Sequence, residues 1–184
     1  MKLIFLCTIF VSGFLLNTSA QQVIINDKPG QRLLTWDDFK GRPDESASHG
    51  AYTYWNLSYK YAGTEPNGEN VSFKDLELTL KFDIIKSWVK ETKATPELLK
   101  HEQGHFELGR LCQLEILSIV KKTSFDKTGF QLQFKAIFKN TLEKYKALGL
   151  KYDEETNHSL NKEKQEEWNN FFRTEKERML KLNQ

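Results

Sequence analysis

The segment that decides the fold is the start of a long helix, TPELLKHEQGH at residues 95–105. Thr95 is a good N-cap residue, Pro96 suits the first helical position, and Glu97 places an acid in the first turn. These signals predict a helix that runs to about Lys122, where a pair of lysines complements the C-terminal end of the helix dipole.

Two histidines on this helix are candidate metal ligands. His101 and His105 are four residues apart, so their imidazoles project from one face and can converge on one ion. Neutral imidazole is a good zinc ligand. Glu102 points about 100° round the helix, which suits a general base acting on water that the metal activates. This is the H-E-x-x-H signature of zinc peptidases; the alternative is two histidines on a solvated face without metal.

Gly104 lies inside the motif and is a poor helix former. It costs about 1 kcal/mol relative to alanine in a helix interior. We therefore expect another part of the chain to approach the helix closely at this residue.

The third ligand is not given by the motif, although a catalytic zinc needs three protein ligands and an open position. The longer pattern H-E-x-x-H-x-x-G-x-x-H fails because leucine occupies both of the additional required positions, and no helical glutamate follows about twenty residues on. We rank His158 first and Asp153 second, both in a predicted loop between helices. Asp126 and His49 follow well behind, since a turn role and a surface position explain them.

Asp153 and Tyr152 each have a second interpretation. Asp153 could orient a histidine instead of binding the ion, or could simply end a helix. Tyr152 could hydrogen-bond a carbonyl or an oxyanion, with a ring packed in the core as the alternative. We expect Trp168 to belong to the core and Cys112 to be a buried, unreactive thiol.

The first half of the chain has strand patterns. A short strand is predicted at residues 23–25, and residues 51–61 and 76–84 alternate between apolar and polar side chains. Residues 63–70 contain glycine, proline and asparagine and are predicted to be a loop. The alternation predicts an antiparallel sheet with one buried and one wet face.

The second half is helical. A second helix is predicted from about Phe130 to Gly149, which is a natural stop, and residues 150–160 then form a loop. A third helix covers residues 161–182. Four of its side chains are predicted to face inward: Trp168, Phe172, Met179 and Leu182. Strands followed by helices predict an α+β fold with three main helices and the metal motif on the first.

Residues 1–20 have the features of a secretory signal peptide. Lys2 precedes an apolar region that reaches Leu16, and Ala20 ends a run of small residues, so cleavage is expected before Gln21. An uncleaved membrane anchor is the alternative, although the apolar region is short for a membrane span. No further long apolar run follows, so no membrane span is expected after cleavage. The protein is then periplasmic or secreted.

Charge and cysteine content exclude two further classes of protein. Without Lys2 the formal net charge of +2 falls to +1, which gives no electrostatic signature of nucleic-acid binding. Once the first twenty residues are removed, Cys112 is the single cysteine, so no intrachain disulfide is possible.

Three segments together resemble a family of bacterial secreted proteins classed as zinc-dependent proteases by prediction and catalogued as a domain of unknown function. They are LLKHEQGHF at residues 98–106, LTWDDFKG at residues 34–41, and YDEETNH at residues 152–158, with Gln165 and Trp168 beyond. The resemblance implies a single zincin-like metallopeptidase domain over residues 21–184, with zinc on His101 and His105 and catalysis by Glu102. It supports a site role for Asp153 and His158 without deciding between them. Ser159 stands where the family often has glycine.

The leading hypothesis is therefore a secreted zinc metalloendopeptidase that binds one Zn²⁺ ion through His101, His105 and His158. Glu102 would activate water, and a peptide or protein substrate would lie along a strand of the sheet. One rival is a metal-binding or protein-interaction module of the cell envelope that does not turn over. Another is a zinc amidase acting on a non-protein amide, which differs only in substrate.

Overall fold

The structure is a computed structural model that describes residues 21–183. The predicted signal peptide lies outside the described residues. None of the helices in the described part combines the length and the apolar character needed to cross a membrane.

Within that part, strands come first and long helices follow, which confirms the predicted α+β order. The strands are β1 (Gln21–Ile25), β2 (Lys28–Pro29), β3 (Ala51–Tyr52), β4 (Trp55–Lys60), β5 (Gly63–Asn67), β6 (Asn70–Lys74), β7 (Glu77–Phe82), β8 (Trp88–Val89) and β9 (Phe125–Asp126). The helices are α1 (Pro96–Lys122), α2 (Phe130–Thr156) and α3 (Lys162–Leu182). Single 3-10 turns lie at Trp36–Asp38 and Glu91–Lys93.

The main sheet has the order β2-β1-β7-β4. The side chains of β7, one of its two inner strands, alternate as predicted, with Leu78, Leu80 and Phe82 fully buried. The prediction of a purely antiparallel sheet is wrong, because β1 pairs with β7 in parallel while β4 pairs with it antiparallel. The parallel register brings Val23 opposite Leu80 and Ile25 opposite Phe82, which joins the apolar faces of both strands. Strand β4 is left at the edge of this sheet.

The predicted strand at residues 51–61 is divided in two. Strand β3 pairs with β8, whereas β4 pairs with β7, and the chain passes from one sheet to the other at residues 53–54. The crossing is fixed by hydrogen bonds: the Tyr54 amide donates to the Ser87 hydroxyl, and Thr53 donates to the carbonyl of Glu102. The division therefore ties the sheet to the metal-motif helix.

Residues 63–70, predicted to be a loop, form most of a hairpin instead. Strands β5 and β6 pair antiparallel, and β6 also pairs with β9. Only Gly68 and Glu69 form the turn, and Gly68 adopts the left-handed backbone that glycine favours, at φ +61°. Of the glycine, proline and asparagine residues in this segment, only Gly68 lies in the connection; the others lie in the paired strands, with Pro66 on β5 at the edge of its sheet.

Helix α1 agrees with its prediction at both ends. The Thr95 side chain accepts a hydrogen bond from the Leu98 amide, and the helix ends at Lys122. On one side it contacts the sheet at Gly109, where a Cβ atom would lie 2.8 Å from the Trp55 ring and 2.9 Å from Leu80. Helices α2 and α3 pack on its other side. The motif helix is therefore enclosed between two layers.

The predicted end of the second helix is wrong. Helix α2 continues through Gly149 to Thr156, so Tyr152 and Asp153 are helical residues and not loop residues. The helix is ended instead by left-handed backbone at Asn157, His158 and Ser159, with φ of +46°, +50° and +79°. Helix α3 begins directly afterwards, with Asn161 as its N-cap.

The core confirms several expectations about single side chains. Trp168, Phe172 and Met179 are buried, whereas Leu182 is 40% exposed and does not face inward as predicted. Cys112 is fully buried and unpaired, and burial raises the pKa of its thiol to about 12. It is thus the unreactive thiol that the sequence indicates.

Two glycines that both lie within helices should respond in opposite ways to alanine. Gly149→Ala is expected to raise the free energy of unfolding by about 1 kcal/mol, because its Cβ would meet neighbours only at 3.9 Å. Gly109→Ala is expected to lower it by about 1–2 kcal/mol, because overpacking against Trp55 outweighs the same gain in helix propensity. Urea unfolding of both metal-free variants measures the difference. Stabilisation by both substitutions would contradict the close contact between α1 and the sheet.

Candidate metal centre

His101 and His105 lie side by side on α1, as their spacing predicts. Their Nε2 atoms are 3.3 Å apart, and the two rings are nearly perpendicular. His101 is almost completely buried, and the His105 side chain is 17% exposed. Two imidazole lone pairs at this distance repel each other unless a proton or a cation lies between them.

Asp153 reaches both histidines from the last turn of α2. Its Oδ1 atom lies 3.1 Å from Nε2 of His101 and 2.9 Å from Nε2 of His105. The same oxygen is 3.3 Å from Nδ1 of His158, which follows on the turn between α2 and α3. The structure thus brings together the helical histidine pair and both of the first-ranked candidates for the third ligand.

The turn that carries His158 explains the expectation of glycine at residue 159. Ser159 has a φ of +79°, a left-handed conformation that costs an L-residue about 1–2 kcal/mol and that glycine adopts freely. The three left-handed residues reverse the chain sharply enough to return His158 towards α1.

The donor set fits a divalent metal. In a regular tetrahedron, ligands at the zinc distance of about 2.0–2.1 Å lie about 3.3 Å from one another. The three distances among His101 Nε2, His105 Nε2 and Asp153 Oδ1 are 3.3, 3.1 and 2.9 Å, close to that value. His101, Asp153 and His158 also each offer a donor atom, all within 4.8 Å of one another. Imidazole and carboxylate are common zinc donors.

Glu102 is a buried carboxylate beside the histidines. It is 2% exposed, and its Oε2 atom has no hydrogen-bond partner among residues 21–183. It nevertheless lines, together with His105, a cleft between β4 and α2. A buried charged oxygen without a partner destabilises the fold, so its retention next to a candidate metal centre points to a chemical use.

The electrostatics of the site favour a charged Asp153. Burial tends to raise the pKa of this carboxyl, but the His101 and His105 imidazoles at hydrogen-bonding distance outweigh it and hold the pKa well below its usual range. The pKa of His105 is raised: burial opposes the charged ring, and this is outweighed by the hydrogen bond to Asp153 and the charges of Glu102 and Asp153. The negative carboxylates thus favour a positive charge at this position.

Tyr152 lies behind His101 and is fully buried. Its ring stacks on the His101 imidazole with the centroids 4.5 Å apart, and burial raises the pKa of its hydroxyl. The hydroxyl donates to the His101 carbonyl oxygen and accepts from the Gln165 amide. This position argues against contact between Tyr152 and a substrate oxyanion. The Tyr152 ring also explains why glycine occupies position 104, because a Cβ there would lie 2.7 Å from Cζ of Tyr152.

The two lower-ranked candidates for the third ligand lie in different places. The His49 ring stacks between Trp88 and His158, with centroid distances of 5.3 and 5.4 Å, and lines the cleft. Asp126 is the last residue of β9, and its side chain accepts from the amides of Thr128 and Gly129 in the turn before α2. Asp126 therefore has the turn role expected of it, whereas His49 belongs to the surroundings of the site.

Two side chains of the site were not assigned a role by the sequence. Gln165 Oε1 lies 3.1 Å from Nδ1 of His101, and Thr156 Oγ1 lies 3.4 Å from the same atom. Thr156 is one helical turn beyond Tyr152, a spacing that places both on one face of α2. That signal could be used only once residues 150–156 were known to be helical.

A cleft of about 910 Å³ opens over the site. Strand β4 contributes Trp55, Asn56 and Leu57 to one wall, and α2 contributes the other, including Leu142 and Tyr145. Further lining residues that matter for chemistry are Glu102, His105, Asp153 and His158. His105, Asp153, His158 and Glu102 therefore line one accessible space beside a sheet edge, whereas His101 lies behind them and is buried.

The family model described as "Bacterial protein of unknown function (DUF922)" matches residues 25–159. No curated protein and no solved structure gives a significant match. The matched residues include α1 with its histidine pair, Glu102, Asp153 and His158, and they make up well over half of the chain. The chain therefore belongs to this bacterial family of unknown function.

Proposed function

We propose that the protein is an exported zinc-dependent metalloendopeptidase. The observation that carries the proposal is the convergence of His101, His105 and Asp153 beside the buried, unpartnered carboxylate of Glu102 in an open cleft. Export is supported by the signal-peptide features of residues 1–20.

His101, His105 and Asp153 would hold the ion. His158 is ranked ahead of Asp153 from the sequence, but the short distances from Asp153 Oδ1 to both Nε2 atoms favour the aspartate as third ligand. The His158 side chain is 40% exposed and stacks on His49, which suits a residue at the open side of the site. There its imidazole could donate a hydrogen bond to the substrate.

Glu102 would act as the general base. When bound, zinc supplies Lewis-acid chemistry that activates water and polarises a carbonyl group. Glu102 faces the same cleft and has a free oxygen that accepts the proton of the attacking water and passes it to the leaving amine. Burial keeps bulk water from competing for this oxygen.

An extended peptide is the substrate that fits the cleft best. Strand β4 lies at the sheet edge, so its outer backbone groups are free to pair with an added strand. Trp55, Leu57 and Leu142 offer apolar contacts along the walls. Main-chain pairing would fix the direction of the peptide, while these side chains select apolar residues near the scissile bond.

Removing candidate ligands should separate Asp153 from His158. Purified protein lacking residues 1–20 is expected to bind one zinc ion per chain. Asp153→Ala should weaken zinc binding by more than the about 10–100-fold that is typical of outer-sphere partners, because a direct donor is lost. His158→Ala should have a smaller effect, measured for both by competition with a chelating dye. Asp126→Ala, in the turn before α2, is the matched control. A larger loss for His158→Ala would reverse the assignment, and a wild-type protein without zinc would refute the metal centre.

Glu102→Gln should abolish peptide cleavage and keep the zinc. The substitution keeps the shape and removes the base, so the rate is expected to fall about 10²–10⁴-fold. Cleavage of a denatured protein and of a peptide library measures it, with zinc content determined on the same samples. Glu154→Gln, which removes another carboxylate that lines the cleft, is the matched control and should stay active.

The outcomes of that comparison also distinguish the rival functions. Zinc binding by both wild type and Glu102→Gln without cleavage of any peptide would favour a binding module. Cleavage restricted to non-protein amides, again lost in Glu102→Gln, would favour an amidase.

A further inference from the structure

The His101 imidazole belongs to a closed cycle of hydrogen bonds that also includes the backbone carbonyl of His101. The members are His101, Tyr152 and Gln165, with distances of 3.1 Å from Tyr152 Oη to His101 O, 2.7 Å from Gln165 Nε2 to Tyr152 Oη, and 3.1 Å from Gln165 Oε1 to His101 Nδ1. All three residues are buried. In such surroundings each donor needs an acceptor, so the positions of the protons can be worked out.

The directions of the hydrogen bonds in this cycle follow from the His101 carbonyl, which can only accept. The single proton of the Tyr152 hydroxyl therefore points to that carbonyl, and the hydroxyl oxygen must accept from Gln165. The Gln165 amide nitrogen donates there and also to Asn169 Oδ1, at 3.1 Å. Asn169 is oriented in turn because its own amide nitrogen donates to Glu166, at 2.9 Å.

With both amide protons directed away, Gln165 presents its carbonyl oxygen to the His101 ring. An oxygen of this kind accepts only, so Nδ1 of His101 must carry the proton. Thr156 leads to the same conclusion. Its hydroxyl donates to the Tyr152 carbonyl at 2.6 Å, so the oxygen turns a lone pair towards Nδ1. Both neighbours of Nδ1 are thus acceptors.

We infer that Gln165 is a positioning residue of the candidate metal centre: it keeps the His101 proton on Nδ1, so that the Nε2 lone pair faces His105 and Asp153. A metal-binding histidine needs this arrangement, and a partner on its second nitrogen is how proteins fix it. The inference rests on the proposed function for the identity of the ion, but the position of the proton is a property of the metal-free chain.

The arrangement is specific to His101. No hydrogen bond to His105 Nδ1 is found within the described part of the chain; that atom faces α2 near Gly149, whose added Cβ would lie 3.9 Å away. Asp153 opposes the effect of Gln165 on His101, because its carboxylate lies 3.1 Å from Nε2 and attracts a proton to that atom. Without Gln165, only Thr156 at 3.4 Å is left to accept from Nδ1, so the closer Asp153 should draw the proton of the neutral ring to Nε2, where it blocks metal binding.

The position of the proton can be measured directly in metal-free protein. Nitrogen-15-labelled histidine gives long-range proton–nitrogen NMR correlations that distinguish the two neutral forms, at about pH 9, well above the ordinary histidine pKa of about 6.5. Wild type should show His101 protonated on Nδ1. Gln165→Met, which keeps the length and removes the acceptor, should shift the proton to Nε2. An unchanged proton position in Gln165→Met would overturn the inference.

Two matched variants separate positioning from general stability. Gln165→Glu keeps an oxygen that accepts from Nδ1 and should retain the wild-type proton position. Gln113→Met removes another buried glutamine, whose amide donates to the carbonyls of Gln22 and Leu78, and should lower stability without changing His101. A shift of the His101 proton in Gln113→Met would also overturn the inference, because a general loss of packing would then explain it.

Zinc affinity gives a second measurement. Gln165→Met should bind zinc about 10–100-fold more weakly than wild type, while Gln165→Glu and Gln113→Met retain wild-type affinity. Equal affinity in Gln165→Met and wild type would overturn the role of Gln165 in metal binding. If wild type binds no zinc at all, the proposed function fails, and the NMR comparison still decides whether Gln165 places the proton.

Discussion

The contact on which the site depends is the stacking of Tyr152 on His101 in the space left by Gly104. A side chain at Gly104 would overlap the tyrosine ring, so glycine is required for α2 and α3 to approach α1 at this point. Because Tyr152 holds the last turn of α2 against α1, the next residue, Asp153, lies in front of both imidazoles. Thr156, one turn later, reaches Nδ1 of His101. The helix contact therefore sets the positions of the side chains around His101.

The same region contains two carboxylates whose burial destabilises the folded chain. Asp153 is a partly buried carboxylate among three imidazoles, and Glu102 is a buried carboxylate with one oxygen unpartnered. Moving an ion out of water has an effective penalty of several kcal/mol, and only well-placed partners offset it. The neighbouring imidazoles offset it for Asp153, whereas no partner among residues 21–183 offsets it for the free oxygen of Glu102. Stability thus explains the core, whereas the placement of these two carboxylates is what the proposed metal ion and proton transfer would require.

Local signals in the sequence were sufficient to predict where α1 begins and ends. Its N-cap, its first-turn proline and its C-terminal lysines act within one turn of the residues they influence, so its bounds and the convergence of His101 and His105 follow from the sequence. The end of α2 could not be predicted from local signals. Gly149 resembles a helix stop, but a glycine without positive φ is only a weak helix former, and the three left-handed residues at 157–159 end the helix.

The remaining errors concern contacts between distant residues. The parallel pairing of β1 with β7 joins strands more than fifty residues apart, and alternation of side chains does not distinguish it from antiparallel pairing. The ranking of His158 ahead of Asp153, which stays a prediction, was limited in the same way. Both were placed in a loop, so their distances from α1 could not be ranked until Tyr152 fixed the last turn of α2. Gln165 lies on another helix, and only the packing of α3 brings it to His101.

The two histidines of the motif are unequal, which bears on how a substrate would approach. His101 is 1% exposed and is enclosed by Tyr152, Gln165 and Thr156, so that side of the site is closed. His105 and Glu102 face the cleft between β4 and α2. Under the proposed function, a peptide substrate would therefore enter from the β4 side, where the strand edge and the apolar walls would bind it away from the His101 proton. Such a separation of a closed side from an open side would let the cleft accept different peptides while the candidate metal ligands keep one geometry.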